Sequence, residues 1–181
     1  MCLTLSMLSI VSVAAEIEHA ELIVHTNGYH YLIQAKINAP IAAVRAVVTD
    51  FDRLARINDD IVSSRVLERY DAKTFKRRLL LKHCLLMFCF DLDFVERVEF
   101  LPNGDITTHI VVGEGNFRRG ETVWRLLAID TAQTQMTMEA DQEPDFWIPP
   151  IIGPLIMKLS FDDEVVETAV KIERLANANV Q

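Results

Sequence analysis

From Pro149 to Ala176 the chain reads PPIIGPLIMKLSFDDEVVETAVKIERLA, a segment in which apolar residues recur at the spacing of a helix. The residues on or near one apolar stripe are Ile152, Leu155, Ile156, Leu159, Val166, Ala169, Val170 and Ile172. Because proline is tolerated in the first turn of a helix but kinks its interior, Gly153-Pro154 should either start the helix or kink it. The segment predicts one long C-terminal helix from Pro154 to Ala176.

The residues before this helix alternate between apolar and polar, which indicates strands. The predicted strands are Val62–Tyr70, Phe75–Lys82, Phe88–Phe100, Asp105–Val112, Glu121–Ile129 and Gln135–Gln142. The breaks between them are short and rich in turn-forming residues, so we expect an antiparallel meander. A run of strands followed by one long helix indicates the α+β class.

A β-hairpin is predicted near the N-terminus. Asn27-Gly28 is a strong signal for a two-residue turn, and alternating runs flank it at 20–26 and 29–37. Taken as that turn, it places Val24 opposite Tyr31.

Two short helices are predicted between the hairpin and the meander. Pro40 stands where the first would start, and apolar residues follow it at helical spacing as far as Val48. The second would run through Phe51, Leu54 and Ile57.

The composition is that of one globular domain. The chain has 181 residues, of which 50% are hydrophobic and 24% are charged, so it can fold without a disulfide or a metal. Its formal net charge of -8 repels phosphate backbones, so nucleic acid is not expected as a partner. The sequence does not define the oligomeric state.

The first fifteen residues carry no charge and resemble the apolar core of a secretory signal, with small residues at Val13 and Ala15. Since no Lys or Arg follows Met1, two interpretations remain. The favoured one is a signal on an exported protein, periplasmic or secreted, and the other is an apolar arm on a cytoplasmic protein. We expect residues 1–15 to be this signal or arm and residues 16–181 to form a single domain.

Cys84 and Cys89 are interpreted as buried thiols. On one extended segment they would lie about 17 Å apart and point to opposite faces. A disulfide between them would require a tight bend, and neither belongs to a metal-binding or redox motif.

Sequence motifs for several kinds of enzyme are absent. No serine lies in a G-x-S-x-G motif, and no glycine-rich loop of the kind that binds phosphates or dinucleotides is present. The five histidines lack the spacing of a metal site. We therefore expect no metal and no cofactor.

Glu96 is the polar residue that points most directly to a site. By strand alternation it shares a face with a set of apolar residues. These are Phe88, Phe90, Leu92, Phe94, Val98 and Phe100. Because an isolated buried charge is too costly, Glu96 must be paired, reach solvent or lie in a cavity. It is either a polar contact or general acid/base in a pocket, or a structural residue that pairs with an arginine or lies beyond the buried region.

The inward-facing residues of the later strands are bulky and apolar. They are Trp124, Leu126, Met136, Met138 and Ala140. Such residues form either a close-packed core or the wall of an apolar cavity, and periodicity does not distinguish the two.

The apolar run FWIPPII, from Phe146 to Ile152, joins the last strand to the helix and is too long for a simple solvated loop. One interpretation is a hinge that packs inward. The other is an aromatic lip around Trp147 at a cavity mouth or membrane surface.

Three parts of the sequence together resemble a known family. They are INAPIAAV at 37–44 followed by TDFDRL at 49–54, GNF at 115–117 before Gly120 and WRL at 124–126, and EPDFWIPP at 143–150 before the helix. In this order, over residues 37–175, the chain resembles the START-like or SRPBCC superfamily, the polyketide cyclase/dehydrase and coenzyme Q-binding group that includes the Bet v 1 fold.

This resemblance implies a helix-grip fold, in which a bent antiparallel β-sheet wraps around a long C-terminal α-helix and leaves a hydrophobic tunnel. Members bind sterols, lipids, quinones or polyketides, and some are cyclases or hydrolases. The matching positions are framework positions, so no catalytic residue is carried over.

We therefore predict that a hydrophobic small molecule binds between the sheet and the helix. The predicted contacts are Phe88, Phe90, Phe94, Glu96, Trp124, Met136, Met138, Trp147, Leu155 and Leu159. Two alternatives remain open. One is a cyclase/dehydrase-type enzyme with Glu96 as general acid/base, and the other is an adaptor that docks on a membrane or protein through Phe146 to Ile152.

Overall fold

One antiparallel sheet and one long helix dominate the computed structural model, which describes residues 14–85, 88–146 and 152–178. The strands in these ranges are β1 Glu16–His25, β2 Gly28–Ile37, β3 Ile61–Arg69, β4 Thr74–Leu85, β5 Phe88–Phe100, β6 Ile106–Gly115, β7 Phe117–Ala128 and β8 Thr134–Pro144. The helices are α1 Ile41–Val48 and α2 Ile152–Ala178, and Leu54–Arg56 forms a 3-10 turn. The predicted α+β class is confirmed.

The strands pair in the order β1-β2-β8-β7-β6-β5-β4-β3, with antiparallel neighbours throughout. The predicted meander is therefore confirmed from β3 to β8. The N-terminal hairpin joins the sheet through β2, which pairs with β8, so Tyr29 lies directly opposite Gln142.

Helix α2 packs against α1 and the β1–β2 hairpin, as an amphipathic helix must to bury its apolar stripe. Its side chains Ala169, Ile172 and Ala176 are buried in the main core cluster. That cluster continues through α1, where Val44 and Val47 are almost fully buried.

A polar contact fixes the C-terminal half of α2 to the β2–α1 connection. Glu173, only 7% exposed, accepts hydrogen bonds on Oε2 from the Asn38 backbone nitrogen at 2.7 Å and from Asn38 Nδ2 at 3.0 Å. Asn177 Nδ2 donates to the Asn38 carbonyl at 3.0 Å. Buried polar groups at the end of β2 are thereby satisfied by the helix.

The prediction of two short helices is correct only for the first. Pro40 precedes α1 in an extended conformation, and its carbonyl accepts the first helical hydrogen bonds. The second prediction becomes a single 3-10 turn, in which the Ile57 nitrogen bonds to the Leu54 carbonyl. Leu54 and Ile57 still bury their side chains, so the apolar spacing reports burial here rather than a full helix.

The predicted hairpin exists, but its register is shifted. His25 pairs with Gly28 and Val24 pairs with Tyr29, so the turn residues are Thr26 and Asn27. Gly28 is needed for the packing of β2 against β8 and does not lie in the turn. A Cβ atom at this position would lie 2.2 Å from the Gln142 carbonyl oxygen. The absent side chain lets β8 approach β2 closely.

Strands β4 and β5 form one long hairpin in which Leu85 pairs with Phe88 and Cys84 lies directly opposite Cys89. Cys89 is exposed and disulfide-bonded. The interpretation of Cys89 as a buried thiol is therefore wrong. On one extended segment the two cysteines would lie far apart, whereas the antiparallel pairing of β4 with β5 sets them opposite each other.

The turn between β6 and β7 is tied to β5. Gly115 has a φ of 75°, and a Cβ atom there would lie 2.2 Å from the Asp93 carbonyl oxygen. Asn116 accepts a hydrogen bond from the Asp93 nitrogen at 2.8 Å and donates to the Asp91 carbonyl at 2.7 Å. The GNF segment is thus a framework feature, as the resemblance implied.

Candidate functional site

A row of buried polar side chains crosses the face of the sheet that packs against α2. Each belongs to a different strand, and all are at most 7% exposed. The row consists of Arg77 in β4, Glu96 in β5, Thr108 in β6, Thr122 in β7 and Gln142 in β8, and it is called here the inner polar row. Tyr29 and Tyr31 in β2 continue it.

An ion pair forms one end of the inner polar row. Arg77 Nε and Nη2 each lie 2.8 Å from Glu96 Oε2, and Thr108 Oγ1 donates to Glu96 Oε1 at 2.8 Å. The guanidinium of Arg77 also lies over the Phe51 ring, 5.0 Å from its centroid. Both carboxylate oxygens are therefore occupied, which compensates the desolvation of the two charges.

The carboxylate of Glu96 is thus paired with an arginine, as the structural interpretation of this residue expects. An acid or base in proton transfer must reach the substrate proton. Here Glu96 would first have to release Arg77 or Thr108.

Two tyrosines form the other end. Their rings stack, with centroids 6.3 Å apart and planes 14° apart. Burial is the main cause that raises the pKa of each, and the negative charge of Glu96 adds to it for both Tyr29 and Tyr31. The two hydroxyls therefore remain protonated hydrogen-bond donors at any physiological pH.

Hydrogen bonds join the tyrosine end to β7 and β8. Gln142 Nε2 donates to Thr122 Oγ1 at 3.0 Å, and the nearby Thr122 side chain partly offsets the rise in the pKa of Tyr31. The Tyr31 hydroxyl lies 4.0 Å from Met138 Sδ, to which it donates a weak bond.

Aromatic and aliphatic side chains surround these groups. Phe94 and Phe117 stack with ring centroids 4.0 Å apart, and Phe117 meets Phe146 edge-on at 6.3 Å. This second apolar cluster contains Tyr29, Phe94 and Phe117, with Leu22, Val24, Tyr31, Leu79, Leu81, Leu92, Ile110 and Met157 packed against it. Helix α2 covers Tyr31 through Phe161, whose ring centroid is 6.0 Å away.

The residues predicted as ligand contacts are divided between two places. Phe94 lies in the second cluster, Glu96 lies in the inner polar row, and Met138 touches Tyr31. Met136 and Trp124 belong instead to the main core cluster. Phe90 in β5 is half-buried.

The remaining predicted contacts fall outside what the structure describes. Trp147 lies outside the described residues, as does most of the segment from Phe146 to Ile152. Phe88 belongs to β5, and Leu155 and Leu159 belong to α2, but the surroundings of these three side chains are not among the described features. The tunnel that these residues would border stays a prediction.

Sequence reasoning missed most of the inner polar row. Arg77 shares the inward parity of Phe75, and the β4–β5 hairpin sets it opposite Glu96, so the hairpin register would have identified the pair. Gln142 is the next residue after Met138 and Ala140 that strand alternation directs to the inner face. No local signal marks Thr122 as the acceptor for Gln142.

Two further features are absent from the described ranges. No group of three or more His, Cys, Asp or Glu side chains there could hold a metal ion. No helix in those ranges is both long and apolar enough to cross a membrane.

The sequence matches a known protein family. A sequence profile of the family described as polyketide cyclase / dehydrase and lipid transport matches residues 37–163. The chain belongs to this family. The sequence search found no match among curated proteins.

Solved structures share the architecture at low sequence identity. The Zhui aromatase/cyclase from Streptomyces sp. R1128 is 15% identical with a TM-score of 0.67, and the alignment covers 84% of this chain and 95% of that one. A START superfamily protein from Mycobacterium smegmatis is 18% identical with a TM-score of 0.64, covering 83% and 98%. Human StAR-related lipid transfer protein 5 is 8% identical with a TM-score of 0.60, covering 90% and 88%. The helix-grip architecture, with its sheet and C-terminal helix, is thereby supported.

Proposed function

We propose that the protein binds a hydrophobic small molecule between the inner polar row and the N-terminal half of α2. The observation that carries this proposal is a nearly fully buried row of polar groups beside an aromatic cluster. Ligand sites are mostly apolar, with a few polar groups that fix the orientation of the ligand. A core that served stability alone would gain more from apolar residues at these positions.

The chemistry of the row favours binding over catalysis. The buried tyrosines remain neutral donors, and Glu96 already accepts hydrogen bonds from Arg77 and Thr108. The tyrosine hydroxyls can donate a hydrogen bond that holds a ligand oxygen in place. Lipids, isoprenoid quinones and polyketide-like molecules combine an apolar body with such oxygens.

The family also includes cyclases, so an enzyme that uses Glu96 is the second candidate. It requires Glu96→Gln to abolish turnover of a polyketide-like substrate while binding of that substrate persists. If Glu96→Gln leaves turnover unchanged, Glu96 has no part in catalysis.

The binding proposal is tested by native mass spectrometry of protein purified without detergent. We expect a co-purified apolar molecule, or uptake of added fatty acid or ubiquinone. Phe94→Ala should weaken uptake, since each Å² of lost apolar contact costs roughly 25 cal/mol. Leu127→Ala, at a side chain 66% exposed, is the control and should bind as the unaltered protein does. A protein that carries no lipid and takes up neither compound would contradict the proposal.

We also propose that the protein is exported. Stable disulfides are typical of oxidising compartments, and the disulfide at Cys89 supports this localisation. The mass of the product recovered from the periplasm or medium tests it, because an exported protein lacks its signal. Recovery of the full-length chain from the cytoplasm, with a free thiol at Cys89, would contradict it.

A further inference from the structure

We propose that Gln142 Oε1 accepts a hydrogen bond from a hydroxyl of the bound molecule, so that the site selects apolar molecules with a free hydroxyl. This inference rests on the proposed function, because it assigns a ligand class to the same site.

Gln142 is 2% exposed, and its amide is only half satisfied. Nε2 donates to Thr122 Oγ1, whereas Oε1 is buried without a hydrogen-bond partner. An unpaired buried carbonyl is destabilising, so its presence calls for an explanation. A ligand that supplies the missing donor is one.

The neighbouring strands give the amide its position. Gln142 lies opposite Gly120 in β7, where a Cβ atom would stand 1.8 Å from Oε1. The glycine therefore provides the room in which the carbonyl sits. On the other side Gln142 lies opposite Tyr29 in β2.

The group left without a partner is an acceptor. Gln142 donates to Thr122 through Nε2, and Tyr31 donates to Met138. Oε1 of Gln142 remains without a donor. The complementary ligand group is a hydroxyl.

Apolar groups enclose this part of the site. Met157 of α2 packs against the cluster that holds Tyr29, and Phe161 covers Tyr31. A matching ligand therefore has an apolar body, with the hydroxyl directed at the sheet. An ether or ester of the same molecule has no proton to donate and would leave Oε1 unpaired.

Matched probes test this selection. Titration calorimetry on the full chain would compare 2-naphthol with 2-methoxynaphthalene, and farnesol with farnesyl methyl ether. One hydrogen bond is worth about a tenfold preference for the hydroxyl probe. Gln142→Met removes the acceptor with little change in volume and should reduce the preference to about twofold or less, while binding of the ether persists.

A matched control and a second variant accompany this measurement. Gln135→Met makes the same substitution on the opposite face of β8, where Gln135 donates to Glu18, and should keep the preference. Gly120→Ala displaces the Gln142 amide without altering it and should lose the preference. If Gln142→Met fails to fold, the binding preference of Gly120→Ala alone tests the role of Gln142 Oε1.

The outcomes separate the two proposals. Equal binding of both members of each pair by the unaltered protein, or a preference that survives Gln142→Met and Gly120→Ala, overturns this inference and leaves the proposed function standing. Binding of none of the four probes, together with no uptake of fatty acid or ubiquinone, overturns the proposed function as well.

Discussion

Arg77 and Glu96 face each other across β4 and β5, and two nitrogens of the guanidinium lie 2.8 Å from the same carboxylate oxygen. Both side chains are removed from water, so neither charge can lose its partner without leaving the other uncompensated. The pair therefore constrains how the two strands align as well as what the interior can bind.

Glu96→Leu should destabilise the protein by about 3–5 kcal/mol, because Arg77 would remain buried and unpaired. Adding Arg77→Met to this variant should recover most of the loss. Urea unfolding of the two single variants and the double variant measures this coupling. Glu99→Leu is the control, since its partner Arg97 is 55% exposed, and should have a far smaller effect. Independent, additive effects at Arg77 and Glu96 would contradict the pairing.

Alkaline pH should destabilise the protein through Tyr29 and Tyr31. Burial raises the pKa of both hydroxyls, so the folded state keeps protons that the unfolded state releases. The contribution of the two protonated tyrosines to the free energy of unfolding is fully present below about pH 10, the pKa of tyrosine in the unfolded chain. It is lost as the pH rises through the higher pKa values of the folded state.

Absorbance at the tyrosinate band during an alkaline titration tests this effect. Tyr29→Phe and Tyr31→Phe should each reduce the step that accompanies unfolding. Tyr70→Phe, at a side chain 49% exposed, should leave that step in place. Ionisation of all three tyrosines while the protein remains folded would refute the prediction.

Glu173→Ala should cost about 1–3 kcal/mol, because it leaves the Asn38 backbone nitrogen and amide without their acceptor. Glu167→Ala lies on the same helix, with a side chain 57% exposed, and should change the unfolding free energy by less than about 1 kcal/mol. Chemical denaturation compares the two. Equal effects would show that the Asn38 contact adds nothing to stability.

Gly115 and Gly113 allow the cost of a positive φ to be measured separately from the cost of a steric clash. Both have positive φ, so alanine at either position should cost about 1–2 kcal/mol. A Cβ atom at Gly113 meets nothing within 4 Å, whereas one at Gly115 would lie 2.2 Å from the Asp93 carbonyl. Thermal unfolding should show a clearly larger loss of stability for Gly115→Ala than for Gly113→Ala. Equal losses would mean that β5 shifts to accommodate the Cβ atom without loss of stability.

The strands and the long helix could be predicted from the sequence because their signals are local. Alternation in β5 and helical spacing in α2 each depend on neighbouring residues alone. The prediction that Glu96 shares the apolar face with Phe94 is confirmed for the same reason.

What could not be predicted depends on register between strands. The shift that places His25 opposite Gly28 follows from contact with Gln142, which is distant in sequence. The partner of Glu96 likewise required knowing how β4 turns into β5. A period of two assigns a side chain to a face but does not say which residue it meets on the next strand.

The pairing of β2 with β8 has a consequence for biosynthesis. Tyr29 leaves the ribosome early, but its neighbour Gln142 is made only when the last strand emerges. Loop closure over so long a separation is slow relative to local pairing. Nascent chains that stop before β8 therefore lack Gln142 and α2, two parts of the proposed site, so a ligand of that site could assist folding only after translation is almost complete.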